Sequence, residues 1–393
     1  MEGGLGFCCA IRAGGQLVIY FAWKHNKTLT LYNGREIALR QRNWLFSFML
    51  IISVLLFAAC GGGADEPAGT ETEPDTEDQG EETEDDTAAS DTSEDIRVTV
   101  GTGGTSGVYY PLGTAMAQQI FAQVDGISQA RAVSTGASIA NVQEMDQGRY
   151  EMALIQNDIA YYAVNGEGLA EFEGQTVDTI SGMASLYTEE VQLVTAKDSG
   201  ITSIDELEGK RIAVGDQGSG AEANARQILE AAGLTYDDIG AEFLGFGDAA
   251  QGLQNGTLDA AFVVAGAPTS AVQELGANKD VHILSLPEDV TNSLTEQYPY
   301  FTKTTIPAEQ YADYGQENDI ETVAVMAILI VNNDLSEDVV YGMTSELFEN
   351  MEALEVAHAR GKDITLDTAL DGMSIDLHPG AQRYFDEQGI SAD

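Results

Sequence analysis

Cysteine all but disappears after the first sixty residues. The chain has 393 residues and three cysteines, Cys8, Cys9 and Cys60. Whatever folds beyond Cys60 therefore does so without a disulfide. Histidine is as scarce: His25, His282, His358 and His378 are scattered and show no H-x-x-x-H spacing, so no metal site is expected. Basic residues are few, 18 Lys and Arg against 64 Asp and Glu. Past Cys60 the ratio is 12 to 62, a formal charge near −50. Such a body repels nucleic acid and anionic membrane surfaces, so no nucleic-acid partner is expected. The acidity suits a protein bathed in salt or alkali, and equally a merely soluble extracellular one. The acidic clusters "TEE" and "DQGEETEDD" are expected to face solvent; calcium binding through them is the alternative, but no D-x-D-x-D-G loop supports it. No apolar run is long enough for a membrane-spanning helix, which needs ~20 residues.

The longest such run, Trp44 to Ala59, follows Arg40 and Arg42 and ends in the small-residue stretch "AAC". That is the layout of a secretory signal. "LFAAC" is similar to a bacterial lipobox, with Phe57 where leucine is usual and Leu56 one place further back. The reading is cleavage before Cys60 and a lipid on its sulfur, anchoring the protein outside the cytoplasm; a plain secretory signal is the alternative. Residues 1–38 fit no signal peptide and read as an upstream extension from a misplaced start, or else as a functional N-terminal segment. Residues 1–59 are thus extension and signal. Residues 60–95 are an acidic linker with 15 acids, no basic residue and no aromatic one. A segment that cannot bury surface is expected to be disordered, with a reach of about 30–35 Å or more.

From Ile96 onward short β-branched runs alternate with helical patterns. Strands are expected at "IRVTVG", "RAVST", "YEMALIQ", "VQLVTAK", "KRIAVG", "AEFLGF", "AAFVVAG", "VHILSL" and "TVAVMAILIV". Helices are expected over 108–123, 138–147, 156–165, 203–208, 219–232, 248–255, 268–276, 336–359 and 379–388. The alternation predicts an α/β fold with parallel sheets.

The stretch "VTVGTGGTSGVYYPLGTAMAQQI" joins a strand, a knot of glycines and hydroxyls, and a helix. Glycines let a ligand approach backbone N–H groups, and a helix N-terminus adds unpaired donors and a positive dipole end. A Walker A loop is excluded, since no Lys or Arg lies between Arg97 and Arg131. A dinucleotide fingerprint fails on its last glycine spacing and lacks the acid ~20 residues on. No cofactor is expected. The pattern recurs in "KRIAVGDQGSGAEANARQILEAAG", and "STGASIANV" and "VVAGAPTSAVQEL" offer two further helix starts. Several such starts in two halves suggest two lobes closing on one anion. "YTEEVQLVTAKDSGITSIDELEGKRIAVG" has the crossover pattern of type II periplasmic binding proteins.

From Ile96 to Gly389 the chain resembles the TAXI group of solute receptors, which serve TRAP-type secondary transporters. The resemblance rests on "GTGGTSGVYYPLG", "STGASIANV", "ALIQND", "GSGAEANARQIL", "GFGDAAQGLQNGTLDAAFVVAGAPTSAVQEL" and "LHPGAQRYF", in that order. It implies a two-lobed type II periplasmic-binding-protein-like clamshell with hinge strands. Lobe 1 would hold 96–194 plus 322–393, and lobe 2 would hold 195–321. It implies capture of a small organic acid such as glutamate, glutamine or 2-oxoglutarate, delivery to a membrane permease, and no chemistry on the ligand.

The resemblance makes the loop Thr102–Tyr109 one wall of the site, with Gly104, Thr105, Ser106 and Tyr109 in it. Ser138 is placed as a helix cap, with Asn141 on the same helix face. Gln156 and Asn157 end a strand where a cleft is expected. Tyr187 precedes the hinge strand. In lobe 2, Gly218, Ser219 and Gly220 would present N–H groups to a carboxylate, as would Gly266 and Thr269. Arg226 is a candidate carboxylate partner but lies about two turns into its helix, where a surface or interlobe pair fits equally well. Two alternatives stand beside the transport reading: a binding protein feeding a chemosensor, and a serine hydrolase using Ser219, which has no nearby histidine in sequence. No catalytic residue is assigned.

Overall fold

A computed structural model describes residues 6–13, 16–25, 28–32 and 95–391. The expected signal, Cys60 and almost all of the acidic linker lie outside the described residues. No described helix is long and apolar enough to cross a membrane. The chain divides into a unit over Met1–Thr87 and a larger one over Ala88–Asp393. In the first, β1 (Gly6–Ala13), β2 (Gln16–His25) and β3 (Thr28–Tyr32) form an antiparallel sheet.

The second unit opens with β4 (Ile96–Gly101), whose alternating Val98 and Val100 are buried. Then come α1 (Tyr109–Ala115), β5 (Ile127–Val133), α2 (Ser138–Asp146), β6 (Met152–Gln156) and α3 (Asn157–Asn165). The helical pattern expected over 108–123 is one α-turn pair followed by a π-turn at Met116–Ile120 and a 3-10 turn at Phe121–Gln123. A long strand, β7 (Ile180–Ala196), leads to β8 (Arg211–Gly215), α4 (Gly220–Ala231), β9 (Gly240–Phe243), α5 (Phe246–Asn255), β10 (Ala260–Ala265) and α6 (Ser270–Gly276). Next are β11 (Val281–Leu284), α7 (Glu288–Gln297), β12 (Thr302–Ile306) and a second long strand, β13 (Ile320–Asn332). The chain closes with α8 (Glu337–Glu349), α9 (Met351–Ala357) and α10 (Pro379–Gln388). The single helix expected over 336–359 breaks at Asn350. Helix α7 and strand β12 were not expected: their windows carry few apolar residues in a clear period.

One sheet links the strands in the order β5-β4-β6-β13-β7-β10-β8-β9, with β11 on β7 and β12 on β13. The parallel sheet expected from β-α alternation is found only within each half, at β4–β5, β4–β6, β8–β9 and β8–β10. Strands β7 and β13 run antiparallel to each other and to their other neighbours, so the whole sheet is mixed. The first half of β7 pairs with β13, and its second half lies between β10 and β11. The architecture is the two-lobed α/β clamshell expected, with β7 and β13 as the strands shared by both lobes. A core around Leu193, Ile212, Ile228 and Phe262 belongs to one half. A larger core mixes the two, joining Val100, Leu112 and Leu154 to Ala249, Val263 and Leu275.

Candidate ligand-binding site

The halves meet along hydrogen bonds that the sequence did not announce. The Ala140 N–H of α2 donates to the Gly218 carbonyl at 3.1 Å, and the Ala271 N–H of α6 donates to the Ser106 carbonyl at 3.2 Å. Asn224 of α4 donates through Nδ2 to Asp158 of α3 at 2.8 Å, and Gln227 donates to the Tyr162 hydroxyl at 3.2 Å. Gly220 fits against lobe 1 only because it has no side chain: a Cβ there would lie 1.8 Å from Gln156 Oε1 and 3.1 Å from Ser138 Oγ.

Between the halves lies a half-open cavity of about 70 Å³. A water needs ~10–15 Å³ on this measure, so the space holds on the order of five waters or one small molecule. Lobe 1 contributes Gly103, Gly104, Gly107, Tyr109, Thr135–Ser138, Gln156 and Glu189. Lobe 2 contributes Asp216, Ser219–Ala221, Gly245, Phe246, Val264 and Ala265. Of the residues expected at the site, Gly104, Tyr109, Ser138, Gln156, Ser219 and Gly220 come together here.

The other expected residues do not line the cavity, and each has a physical reason. Thr102 is buried with its hydroxyl donating to the Val133 carbonyl at 2.6 Å. Thr105 is exposed, and Ser106 meets α6 through its carbonyl instead. Asn141 is wholly buried and pins two strand ends, donating to the carbonyls of Thr102 at 2.7 Å and Leu154 at 2.9 Å. Asn157 donates to the Gly372 carbonyl at 2.9 Å and lines a separate cavity with Thr188 and Tyr300. Tyr187 lies under the site, its hydroxyl 3.4 Å from Glu189 Oε1. Gly218 takes φ +82° and forms the turn before α4. Gly266 packs against Arg360, where a Cβ would meet the side chain at 2.7 Å. The Thr269 N–H, expected to face a carboxylate, donates to the Tyr311 hydroxyl at 2.7 Å. Arg226 pairs with Glu222 at 2.8 Å.

Ser138 is not the cap of α2. Ala137 holds that place with φ 68° and ψ −146°, a conformation costly for any residue but glycine. Ser138 Oγ instead accepts from the Gln156 N–H at 3.2 Å. Ser219 is a true cap, its hydroxyl accepting from the Glu222 N–H at 3.1 Å. The first-turn N–H groups of Ser138, Gly220 and Ala221 have no partner within their helices, and all three residues line the cavity.

The "TEE" cluster, expected in solvent, is buried. Glu189 and Glu190 are 3% and 6% exposed. Strand alternation sends them to opposite faces of β7. Glu190 pairs with Arg360 and accepts from the Ala267 N–H at 2.9 Å. Glu189 lines the cavity and accepts from Gln156 Nε2 at 3.0 Å and from the Tyr109 hydroxyl at 3.2 Å. Burial pushes its carboxyl up to about 8, with the nearby charges of Asp158 and Glu190 adding to the rise and the two hydrogen bonds offsetting part of it. The residue was findable: Tyr187 and Glu189 are two apart on a strand and share a face. No histidine lines the cavity, so Ser219 has no imidazole base there.

Residues 100–389 match the profile of the NMT1-like family. The chain belongs to the NMT1-like family. Solved structures similar to this NMT1-like chain include the periplasmic aliphatic sulphonate binding protein SsuA from Escherichia coli, at 15% identity over 74% of this chain and 82% of that one, TM-score 0.39. Another is a binding protein component of an ABC phosphonate transporter from Pseudomonas aeruginosa, at 13% identity over 68% and 79%, TM-score 0.41. A third is the substrate binding protein of an amino acid ABC transporter, at 16% identity over 67% and 97%, TM-score 0.40.

Proposed function

We propose that this protein is an extracytoplasmic solute-binding receptor that encloses a small organic acid between its lobes and passes it to a membrane permease of the TRAP type. The observation that carries the reading is the half-open interlobe cavity, with helix N-termini from both lobes on its wall and no lysine or arginine in its lining. An acid held there is bound by fixed backbone donors, each hydrogen bond to a charged group contributing ~1.5–3 kcal/mol. The TRAP assignment is supported by the ordered motifs from "GTGGTSG" to "LHPGAQRYF". The signal-like run ending at Cys60 supports an anchored, extracytoplasmic location. Catalysis is not part of the reading.

A thermal-shift screen of the full chain with amino acids and dicarboxylates tests the receptor. A ligand at 100 times its dissociation constant adds ~2.7 kcal/mol of stability. No shift with any small acid would end the reading. Uptake by vesicles holding the receptor and its permease tests the transporter class: an ion gradient should drive it without ATP, and strict ATP dependence would exclude the TRAP assignment.

A further inference from the structure

We propose that the contact between Asp158 of α3 and Asn224 of α4 is a proton-operated latch: closing the lobes takes up a proton at Asp158, so acidification holds the clamshell shut. The latch rests on the receptor reading for its purpose, since the state it favours is the one that surrounds a ligand.

The seam lies beside the ligand cavity and lines no part of it. Asp158 is 1% exposed and Asn224 is wholly buried. Asp158 accepts through one carboxylate oxygen from Asn224 Nδ2 at 2.8 Å and through the other from the Ile159 N–H at 2.9 Å. The first donor belongs to lobe 2, the second to lobe 1. Ala223 of α4 seals the contact by packing into the lobe 1 cluster of Ile139, Ile155 and Ile159. Tyr300 of lobe 2 covers Tyr161 and Tyr162, with ring centroids 4.9 and 5.8 Å apart. Parting the lobes removes these covers and returns the carboxyl to water.

Nothing in the seam neutralises a carboxylate. No ion pair among the described residues includes Asp158. Two neighbouring groups are already acceptors short of a donor: Asn224 Oδ1 and Gln227 Oε1 are buried without a hydrogen-bond partner. A buried acceptor left unpaired is costly. An ionised Asp158 adds only further acceptors. Protonated, it carries an O–H for the amide oxygen of Asn224, while Nδ2 still donates to the other carboxyl oxygen. An acid thus pairs with a carboxamide at both atoms, a carboxylate at one. Burial pushes Asp158 up from 3.8 to about 6, against the hydrogen bonds from Asn224 and Ile159. The closed state therefore binds the proton more tightly than the open one. The gain in closure is full below about 3.8 and is lost as pH rises through 6.

Tyr162 on α3 and Glu189 on β7 are the titratable groups coupled to the charge of Asp158. Burial raises the Tyr162 hydroxyl and keeps it neutral. Glu189 takes its bonds from Gln156, Tyr109 and Tyr187, all on the lobe 1 side, so parting the lobes leaves them in place. On α4, Glu222 and Arg226 pair with each other. Strand β6 has no charged residue. On α2, Glu144 pairs with Arg149 and Asp146 accepts from Thr179, while Glu321 of β13 accepts from Thr305.

Hydrogen exchange at the Ala140 amide tests the latch on the full, ligand-free chain, because that N–H is bonded across the lobes to the Gly218 carbonyl. Corrected for the intrinsic rate, its protection should fall about tenfold between pH 5 and pH 7.5. Asp158→Asn is neutral at every pH. It should remove that tenfold and leave protection at pH 7.5 no lower than the wild type's at pH 5. A merely structural role for Asp158 predicts the reverse, protection lowered throughout. Wild-type protection that ignores pH, the same slope in Asp158→Asn, or an amide unprotected at every pH would overturn the inference. Should Asp158→Asn fail to fold, Asn224→Ala decides: loss of the bond that favours the ionised form should lower protection at pH 7.5 and steepen the slope, and an unchanged slope would count against the latch. Since the measurement needs no ligand, failure of every acid to bind would end the receptor reading and leave the proton linkage to stand or fall by itself.

Discussion

The two glycine-hydroxyl loops look alike in sequence and behave differently in the fold. In lobe 2, the turn at Gly218 delivers Ser219 as a side-chain cap and Gly220 as the first residue of a twelve-residue helix. Both residues line the cavity. In lobe 1, the loop 101–107 ends at Val108, which has no capping side chain, and the α-helix after it lasts seven residues before the π-turn. Its hydroxyls point elsewhere: Thr102 to a neighbouring strand, Thr105 to solvent. Lobe 1 lines the cavity with glycines of that loop, with Val108 and Tyr109, with the strand-borne side chains of Gln156 and Glu189, and with the start of α2. A shared pattern of glycines thus marks permissive backbone, while the cap and the helix length decide which copy presents donors.

The largest expected effect sharpens that contrast on the side of lobe 1. Glu189 has a folded value near 8, above its ordinary value of 4.5. Stability from this group is therefore fully present below about 4.5 and is lost as pH rises through 8, in the ligand-free protein. Thermal unfolding between pH 6 and 8 should show melting temperature falling with pH. Glu189→Gln should flatten the slope, and an unchanged slope would remove Glu189 from the account. His358 and His378 are pushed down from 6.5 by burial, and work in the opposite direction below that pH. The difference between variant and wild type isolates the glutamate.

Next in size is Gly220→Ala. Its methyl would displace Gln156 from the position in which Glu189 holds it. Overpacking of this kind costs about 1–3 kcal/mol. Ligand affinity should fall about 10- to 100-fold by calorimetry, and unaltered affinity would show that the lobes do not close on this glycine. Ser219→Ala removes the α4 cap and should lower stability by about 1 kcal/mol; a larger loss of affinity than of stability would mean that the hydroxyl itself touches ligand. Smallest is Gly104→Ala. A Cβ there meets nothing within 4 Å, so stability and affinity should stay within about 0.5 kcal/mol of wild type. A strong effect would put the lobe 1 loop on a par with its counterpart.

The α/β alternation and most elements could be read from the sequence, because each rests on local periodicity; the two-lobed plan was drawn instead from the repeated glycine-hydroxyl helix starts, the crossover pattern and the family resemblance. The mixed sheet could not, since β7 and β13 take their direction from a crossing between halves. Ser219 and Gly220 were legible as backbone donors at a helix start, though not Ser219 as its cap. Asn141 and Thr269 were plausible ligands by type, yet the Asn141 amide nitrogen is engaged by Thr102 and Leu154 and the polar atoms of Thr269 by Gln192 and Tyr311, through contacts far apart in sequence. Glu189 was hidden by its company: in a chain this acidic, one more glutamate reads as surface. Only the strand alternation beside Tyr187 distinguished it.

The unbroken sheet has a consequence for dissection. Cutting the chain at the crossings would strip β10 and β11 from β7 and leave backbone donors and acceptors along its second half without partners. It would also divide a core in which Leu112 and Leu154 share one packed cluster with Val263 and Leu275. Neither half owns a complete interior. The protein is therefore a poor source of modular parts: lobes exchanged with a relative would have to travel with both long strands, and the smallest portable piece is the whole clamshell.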